Sequence, residues 1–259
     1  MFFDQQEFDI RCEWGEHGIA VLAPLSDVAV IVDVLSFSTS VDIAVHQGAV
    51  VFPYRGNHIE AAEFAASVQA VLADPSRSLG RPSLSPQSLV NIPANTRIVL
   101  PSPNGATLTL AAKSTPVLAG CLRNAQAVAR AAKHYGSKIA VIPAGERWPD
   151  DHSLRPSLED LIGAGAIISH LNGRLSPEAR GAVAIFREAE SALGEWLSQC
   201  SSGKELIERG YREDVLLASQ LDISTSAPVL KDGAFVRTRV HDQSGQNKRL
   251  PNQVVERKE

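Results

Sequence analysis

The sequence predicts an α/β fold, a mostly parallel sheet with helices on both faces in a three-layer α/β/α arrangement, extended by a C-terminal helical layer and a short hairpin. Three observations predict it. From residue 19 to about residue 170 one unit recurs: a short β-branched apolar run, a loop of Ser, Pro, Gly or Asn, and a stretch with apolar residues at helical spacing. From 176 to 221 the chain is rich in Ala, Leu and Glu, and glycines are its only punctuation. Lys231-Asp232-Gly233 then separates two β-prone runs, 228–230 and 234–240, as a hairpin turn does.

The elements follow in order. Residues 28–34 (VAVIVDV) are apolar without alternation, the pattern of a strand covered on both faces. Residues 36–40 open a helix that runs to 47 and stops at Gly48. Residues 50–53 form the next strand, and 59–73 an Ala-rich helix. The Ser- and Pro-dense stretch 74–93 is a loop, and a loop of that length in a compact domain is usually functional or mobile. A strand over 97–100 enters the turn 101–105 and a helix to Lys113; 117–119 leads to a helix over 124–135; and 138–142 leads through a loop ending at Pro156 to a helix from Ser157. One domain over 1–259 is expected, with an α/β core over 1–175, a helical layer and closing hairpin over 176–240, and a polar tail over 241–259.

Composition narrows the function classes. Lys plus Arg total 25 against 29 Asp plus Glu, a net charge of −4, which argues against nucleic acid or an anionic membrane as partner. With 44% hydrophobic and 21% charged residues the chain has the composition of an ordinary globule. The N-terminus lacks a signal peptide's basic and apolar regions, and no apolar run approaches the ~20 residues that span a bilayer. The three cysteines, Cys12, Cys121 and Cys200, lie far apart without CxxC spacing, so the expected compartment is a reducing cytoplasm.

In a parallel sheet the binding loops sit at the carboxyl ends of the strands, and four such loops carry polar groups. The first places Asp33 at the end of an apolar strand, where burial demands a partner, and offers Ser36, Ser38 and Thr39 as donors at a helix start. Thr39 with Asp42 also fits a T-x-x-D capping box. The second offers Ser102, Asn104 and Gly105, and the third Arg123 and Asn124. Cys121 is no phosphatase nucleophile, because C-x5-R would need arginine where Ala127 stands. The fourth holds Glu146, Arg147 and Arg155, with Glu159 and Asp160 opening the next helix, although Ser157 could simply cap that helix through Asp160. Asp33, Glu146, Glu159 and Asp160 form a candidate Mg²⁺ set of oxygen ligands. Asp33, Glu146 and Arg123 are the candidate catalytic residues, and Ser36, Ser38, Thr39, Ser102, Asn104, Gly105, Asn124, Arg147 and Arg155 the candidate phosphate cradle. The inferred chemistry is phosphoryl transfer on a small anionic substrate.

Taken in order, Asp33-Val34-Leu35-Ser36-Phe37-Ser38-Thr39, Ser102-Pro103-Asn104-Gly105, Gly120-Cys121-Leu122-Arg123-Asn124, Pro143-Ala144-Gly145-Glu146, Leu158-Glu159-Asp160 with Gly163 and Gly165, and Asp232-Gly233-Ala234-Phe235 resemble the 2-phosphosulfolactate phosphatase family. The resemblance implies a Mg²⁺-dependent α/β phosphatase that hydrolyses 2-phosphosulfolactate to sulfolactate and phosphate, a coenzyme M biosynthesis reaction. Family members often read D-V-L-R in the first loop, where this chain has Ser36, so another small phosphorylated acid is the alternative substrate. A non-catalytic phosphometabolite binder is the rival from another class. A further expectation makes the 176–221 stretch a homodimer interface.

Overall fold

The computed structural model describes residues 2–56, 58–77 and 80–237. β1 (Ile10–Cys12) and α1 (Gly15–Leu22) come first, followed by the units the apolar pattern marks. β2 (Val28–Val32) leads to α2 (Phe37–His46), β3 (Val50–Tyr54) to α3 (His58–Ser67) and the short β4 (Val71–Leu72), and β5 (Arg97–Pro101) to α4 (Gly105–Ala111). β6 (Val117–Gly120) leads to α5 (Ala125–Ala132), and β7 (Ile139–Pro143) passes through a small hairpin, β8 (Glu146–Arg147) and β9 (Leu154–Arg155), to α6 (Leu158–Ser169). Four helices follow, α7 (Pro177–Ala189), α8 (Leu193–Gln199), α9 (Ser201–Glu208) and α10 (Arg212–Ala218), and the hairpin β10 (Pro228–Lys231) and β11 (Ala234–Arg237) closes the described chain.

Among the described residues, nine strands form one sheet in the order β1-β7-β2-β6-β10-β11-β3-β5-β4. β1, β7, β2 and β6 are parallel to one another, and so are β3, β5 and β4. The closing hairpin lies between the groups, antiparallel to β6 on one side and to β3 on the other. The two parallel groups therefore run in opposite senses. The hairpin turn has positive φ at both Asp232 (50°) and Gly233 (81°), the left-handed pair that a two-residue turn between twisted strands requires.

Period-two alternation along β2 assigns its two faces. Val28, Val30 and Val32 pack with Val128 of α5, Ile162 and Ile167 of α6 and Phe186 of α7. Ala29 and Ile31 face a second cluster that also takes Val51 of β3, Ile98 and Leu100 of β5, Phe37 and Val41 of α2 and Leu108 of α4. Both parallel groups thus share one core, with α2 and α4 inside it. Phe52 and Val99 on the other face of β3 and β5 are covered by Ala65 of α3.

The structure departs from the sequence expectations at particular points. The helix expected to reach 73 ends at Ser67, where Gln69 takes a φ of 52° and the chain turns to lay β4 beside β5. β1, β4, β8 and β9 have two or three residues each, too few to show a period. The 74–93 loop contains a 3-10 turn over Pro86–Leu89 and a bridge between Asp74 and Ser83. Within the 176–221 stretch, Ala182, Val183, Phe186, Leu193, Leu197, Leu206 and Val215 are buried in the core of the chain itself. Residues 238–240 of the expected last strand, and the 241–259 tail, lie outside the described residues. No helix of the described residues is long and apolar enough to cross a membrane.

α6 and α7 meet at Gly165, where an added Cβ would lie 2.0 Å from the carbonyl oxygen of Ala182. Gly165→Ala is expected to cost about 1–3 kcal/mol as an overpacked contact. Gly181→Ala, on the open face of α7, is expected to gain about 0.5–1 kcal/mol from helix propensity. Urea denaturation midpoints check the pair, and movement of both in one direction would contradict this packing.

Candidate active site

Asp33 follows the last residue of β2, and its carboxylate is spanned by two main-chain amides. Phe37 N–H, from the first turn of α2, donates to Oδ1 at 3.1 Å, and Gly105 N–H, the start of α4, donates to Oδ2 at 2.9 Å. Gly105 must be glycine here, because a Cβ would lie 2.3 Å from the Phe37 ring and 2.8 Å from Asp33 Oδ2. Asp160, in the first turn of α6, does the same for another pair of segments: Oδ1 accepts from Val34 N–H at 2.7 Å and Oδ2 from Gly145 N–H at 2.8 Å. The expected Ser157–Asp160 capping box does not form; the Ser157 hydroxyl turns to Arg155 O.

Glu146 and Glu159 complete the acidic group. Glu146 opens the β8–β9 hairpin, pairs across it with Arg155, and accepts from Asn104 Nδ2 at 2.8 Å. Glu159 is buried beside Asp160, and Cys200 lies against it. Burial and crowding raise the proton affinity of Asp33, Glu146 and Asp160. Burial pushes Asp33 up to about 6 despite its two amide bonds, with Glu159 adding to the rise and Arg77 opposing it. Burial first, then the Asp33 charge, push Glu146 up to about 7, while Asn104 and Arg155 pull it down. Asp160 is raised well above the usual carboxylate range by burial and by the charges of Asp33 and Glu159. Burial, then Glu159, push the Cys200 thiol up to about 12, and burial does the same to Cys121, so neither is a thiolate. Excess negative charge is thus gathered at the strand ends.

The expected phosphate cradle is largely occupied with holding the fold. Ser38 Oγ donates to Ile31 O and accepts from Asp33 N–H, both at 3.1 Å, and Thr39 Oγ1 donates to Val34 O at 2.8 Å. Asn124 is buried and ties the turn after β6 to Cys121 N–H and Ala119 O. Arg123, expected at the phosphate, instead donates to Asp42 Oδ2 (3.2 Å), Leu217 O and Gln220 Oε1, joining α2 to α10. Asp42 also accepts from Ser224 Oγ at 2.6 Å, so it is no partner of a Thr39 cap. The Gly105 amide is taken by Asp33, and Ser102 Oγ accepts from Asn104 N–H at 3.4 Å. Arg147 pairs with Glu16 and bonds to His152 O. Four candidate residues remain at the acidic group: Asn104 and Arg155 beside Glu146 (Arg155 also donates to Ser202 Oγ at 3.2 Å), Glu159, and Ser36, whose buried hydroxyl has no partner among the described residues. A cavity of about 550 Å³ opens next to Asn104, walled by Glu16 and His17 of α1, Ala144, Arg147 and Leu154.

The acidic donors are oxygen ligands and suit Mg²⁺, yet the four-carboxylate set expected from the sequence is not a closed cage. Among the described residues no group of three or more His, Cys, Asp or Glu is spaced to hold a metal by itself. Mg²⁺ ordinarily takes one or two carboxylates and completes its octahedron with water and substrate phosphate, a requirement these residues fit. Sequence reasoning missed Arg77, whose charge reaches Asp33 from the 74–93 loop. Only the length of that loop signalled it.

Because Asp33 and Glu146 bind protons more tightly folded than unfolded, the folded state carries the extra protons between about pH 4 and 7. Their contribution to stability is therefore largest at acid pH, falls as pH rises through that window, and is level above it. Thermal melts in EDTA should show a lower Tm at pH 8 than at pH 5, with a smaller drop in Glu146→Gln. A Tm that rises steadily over that range would contradict the assignment.

The profile of the family described as 2-phosphosulpholactate phosphatase matches residues 20–233. The 2-phosphosulfolactate phosphatase of Methanothermobacter thermautotrophicus is 29% identical over 136 residues, 52% of this chain and 57% of the relative. A probable 2-phosphosulfolactate phosphatase of Gloeobacter violaceus is 31% identical over 52% of this chain and 56% of its own length. Against these two relatives the chain thus spans somewhat more than half of their length. A probable 2-phosphosulfolactate phosphatase of Thermotoga petrophila is 30% identical over 230 residues, 83% of this chain and 96% of the relative. Since the profile takes in all of the acidic strand ends, from Asp33 to Asp160, and the closing hairpin turn at Asp232, the chain belongs to the 2-phosphosulpholactate phosphatase family.

Proposed function

We propose that the protein is a Mg²⁺-dependent phosphatase that hydrolyses 2-phosphosulfolactate to sulfolactate and phosphate, the reaction of coenzyme M biosynthesis. The observation that carries this reading is the gathering of Asp33, Glu146 and Glu159, where burial first and then the neighbouring carboxylates raise the proton affinity of the first two and leave negative charge that a divalent cation would neutralise. The names of the relatives support the substrate.

Asp33 and Glu159 would hold Mg²⁺, which when bound neutralises charge on the phosphate oxygens and so eases attack at phosphorus. Glu146 has the proton affinity of a general base near neutrality, and Asn104 fixes its orientation through Oε2. It takes a proton from the attacking water as the new P–O bond forms and the ester P–O bond breaks, and the departing alkoxide takes a proton from solvent water to become the product alcohol. Both Asp33 oxygens already accept main-chain amides, which favours water over Asp33 as nucleophile. Arg155, paired with Glu146 across the hairpin, would meet an anionic group of the substrate.

Phosphate release from 2-phosphosulfolactate, beside phospholactate and phosphoglycerate, tests the reading. Turnover should require Mg²⁺, stop in EDTA and favour the sulfonate. Asp33→Asn should lose at least ~10³ in kcat, the scale of a main electrostatic group, and Glu146→Gln should lose the acid limb of the pH–rate profile near pH 7. Preference for another phospho-acid would replace the substrate, whereas ligand binding unaffected by EDTA and without phosphate release would make the protein a binder.

A further inference from the structure

We propose that the cavity beside Asn104 receives the side arm of a substrate whose arm is bulky and uncharged, so that phosphate esters of 2-hydroxy acids with an apolar arm are hydrolysed alongside 2-phosphosulfolactate. The proposal rests on the phosphatase reading above.

Three residues in the wall of this cavity of about 550 Å³ are tied to the acidic group. Asn104 donates from Nδ2 to Glu146 Oε2 at 2.8 Å, and the next residue, Gly105, gives its amide to Asp33 Oδ2 at 2.9 Å. Ala144 precedes Gly145, whose amide donates to Asp160 Oδ2 at 2.8 Å. Arg147 follows Glu146 on β8. Cavity and acids therefore share the start of α4, the loop after β7 and the β8–β9 hairpin. An ester attacked at phosphorus beside Glu146 has this room next to it for the rest of the molecule.

The wall says what fits. A volume of about 550 Å³ lies in the range that encloses drug-sized ligands, more room than a three-carbon acid uses. Leu108 and Ala144 are buried and belong to the apolar core that holds α2 and α4, so this side is fixed carbon surface. Leu154 adds to it from the hairpin. The charges in the wall cancel, because Arg147 pairs with Glu16 and also donates to His152 O. An anionic arm is served by Arg155, as above, whereas an apolar arm gains by leaving water for Leu108, Ala144 and Leu154.

The bond changes are those of the reading above. The oxygen of water bonds to phosphorus as the ester P–O bond breaks, Glu146 takes one proton of that water, and the departing alkoxide takes a proton from solvent water. The products are the 2-hydroxy acid and inorganic phosphate.

The test compares 2-phospho-3-phenyllactate with 2-phospholactate, which share the reacting centre and differ only in the ring, in the presence of Mg²⁺. Wild type should prefer the phenyl ester in kcat/KM by about 10- to 100-fold, the scale of burying one aromatic side chain. Ser153→Trp and His17→Trp each put a ring into the cavity from an exposed position on its rim. Each should cut that preference by about tenfold or more, since the phenyl arm loses its room. Calorimetry with the products, 3-phenyllactate against lactate, reads the cavity without any turnover, and the phenyl compound should bind more tightly to wild type. Equal kcat/KM for the two esters, or a preference that survives in both variants, would overturn the proposal alone. Tighter binding of 3-phenyllactate without phosphate release from any ester, 2-phosphosulfolactate included, would overturn the phosphatase reading alone. No phosphate release and no difference in product binding would overturn both.

Discussion

A carboxylate at the end of a buried strand loses its water and must find donors in the protein, and here the donors are main-chain amides from other segments. Asp33 takes one from α2 and one from α4, and Asp160 takes one from the end of β2 and one from the loop after β7. Hydrogen bonds to an ionised group are worth about 1.5–3 kcal/mol each, against a desolvation cost of several kcal/mol per ion, so the amides offset the burial without overcoming it. Both acids remain raised in proton affinity. The same bonds that lock five segments together therefore leave the site short of positive charge.

The reversal of strand direction across the sheet gives this clamp its reach. α2 follows a strand of one parallel group and α4 a strand of the other, and the two helices share one apolar core with both groups. Their starts are thereby brought close enough for the Gly105 amide to meet Asp33. A further buried acid, Asp42, joins α2 to Arg123 and to Ser224, ahead of the closing hairpin. With Phe235 of that hairpin set edge-on to Phe37 at 6.2 Å, the C-terminal strands are part of what holds the first loop in shape.

Much of the fold was legible because it follows from local regularities. Unbroken apolar runs marked β2, β3, β5, β6 and β7, helical spacing marked the helices between them, and Asp232-Gly233 announced its turn by backbone chemistry. The strand-end acids were legible too, since an Asp after Val-Ile-Val has few innocent explanations. The loop hydroxyls were misjudged for an equally physical reason. Ser38, Thr39 and Asn124 carry the donors and acceptors of a phosphate cradle, but the tight turns that hold them have backbone groups of their own to satisfy. Their use was settled by burial, which a loop's composition does not reveal.

What the sequence by itself determined is the set of elements, their alternation and the residues placed at strand ends, because sterics and apolar periodicity act over a few residues. What only the tertiary structure decided is which of those residues meet. Val34 and Asp160 are 126 positions apart and Arg77 and Asp214 are 137 apart, and each pair exists only because the sheet and its helices bring the segments together. The opposed strand groups, the surrender of Arg123 to Asp42 and the pairing of Arg77 with Asp214 all have that origin. Charges and hydrogen bonds are paired by distance in space, and the linear pattern of a chain carries no measure of that distance.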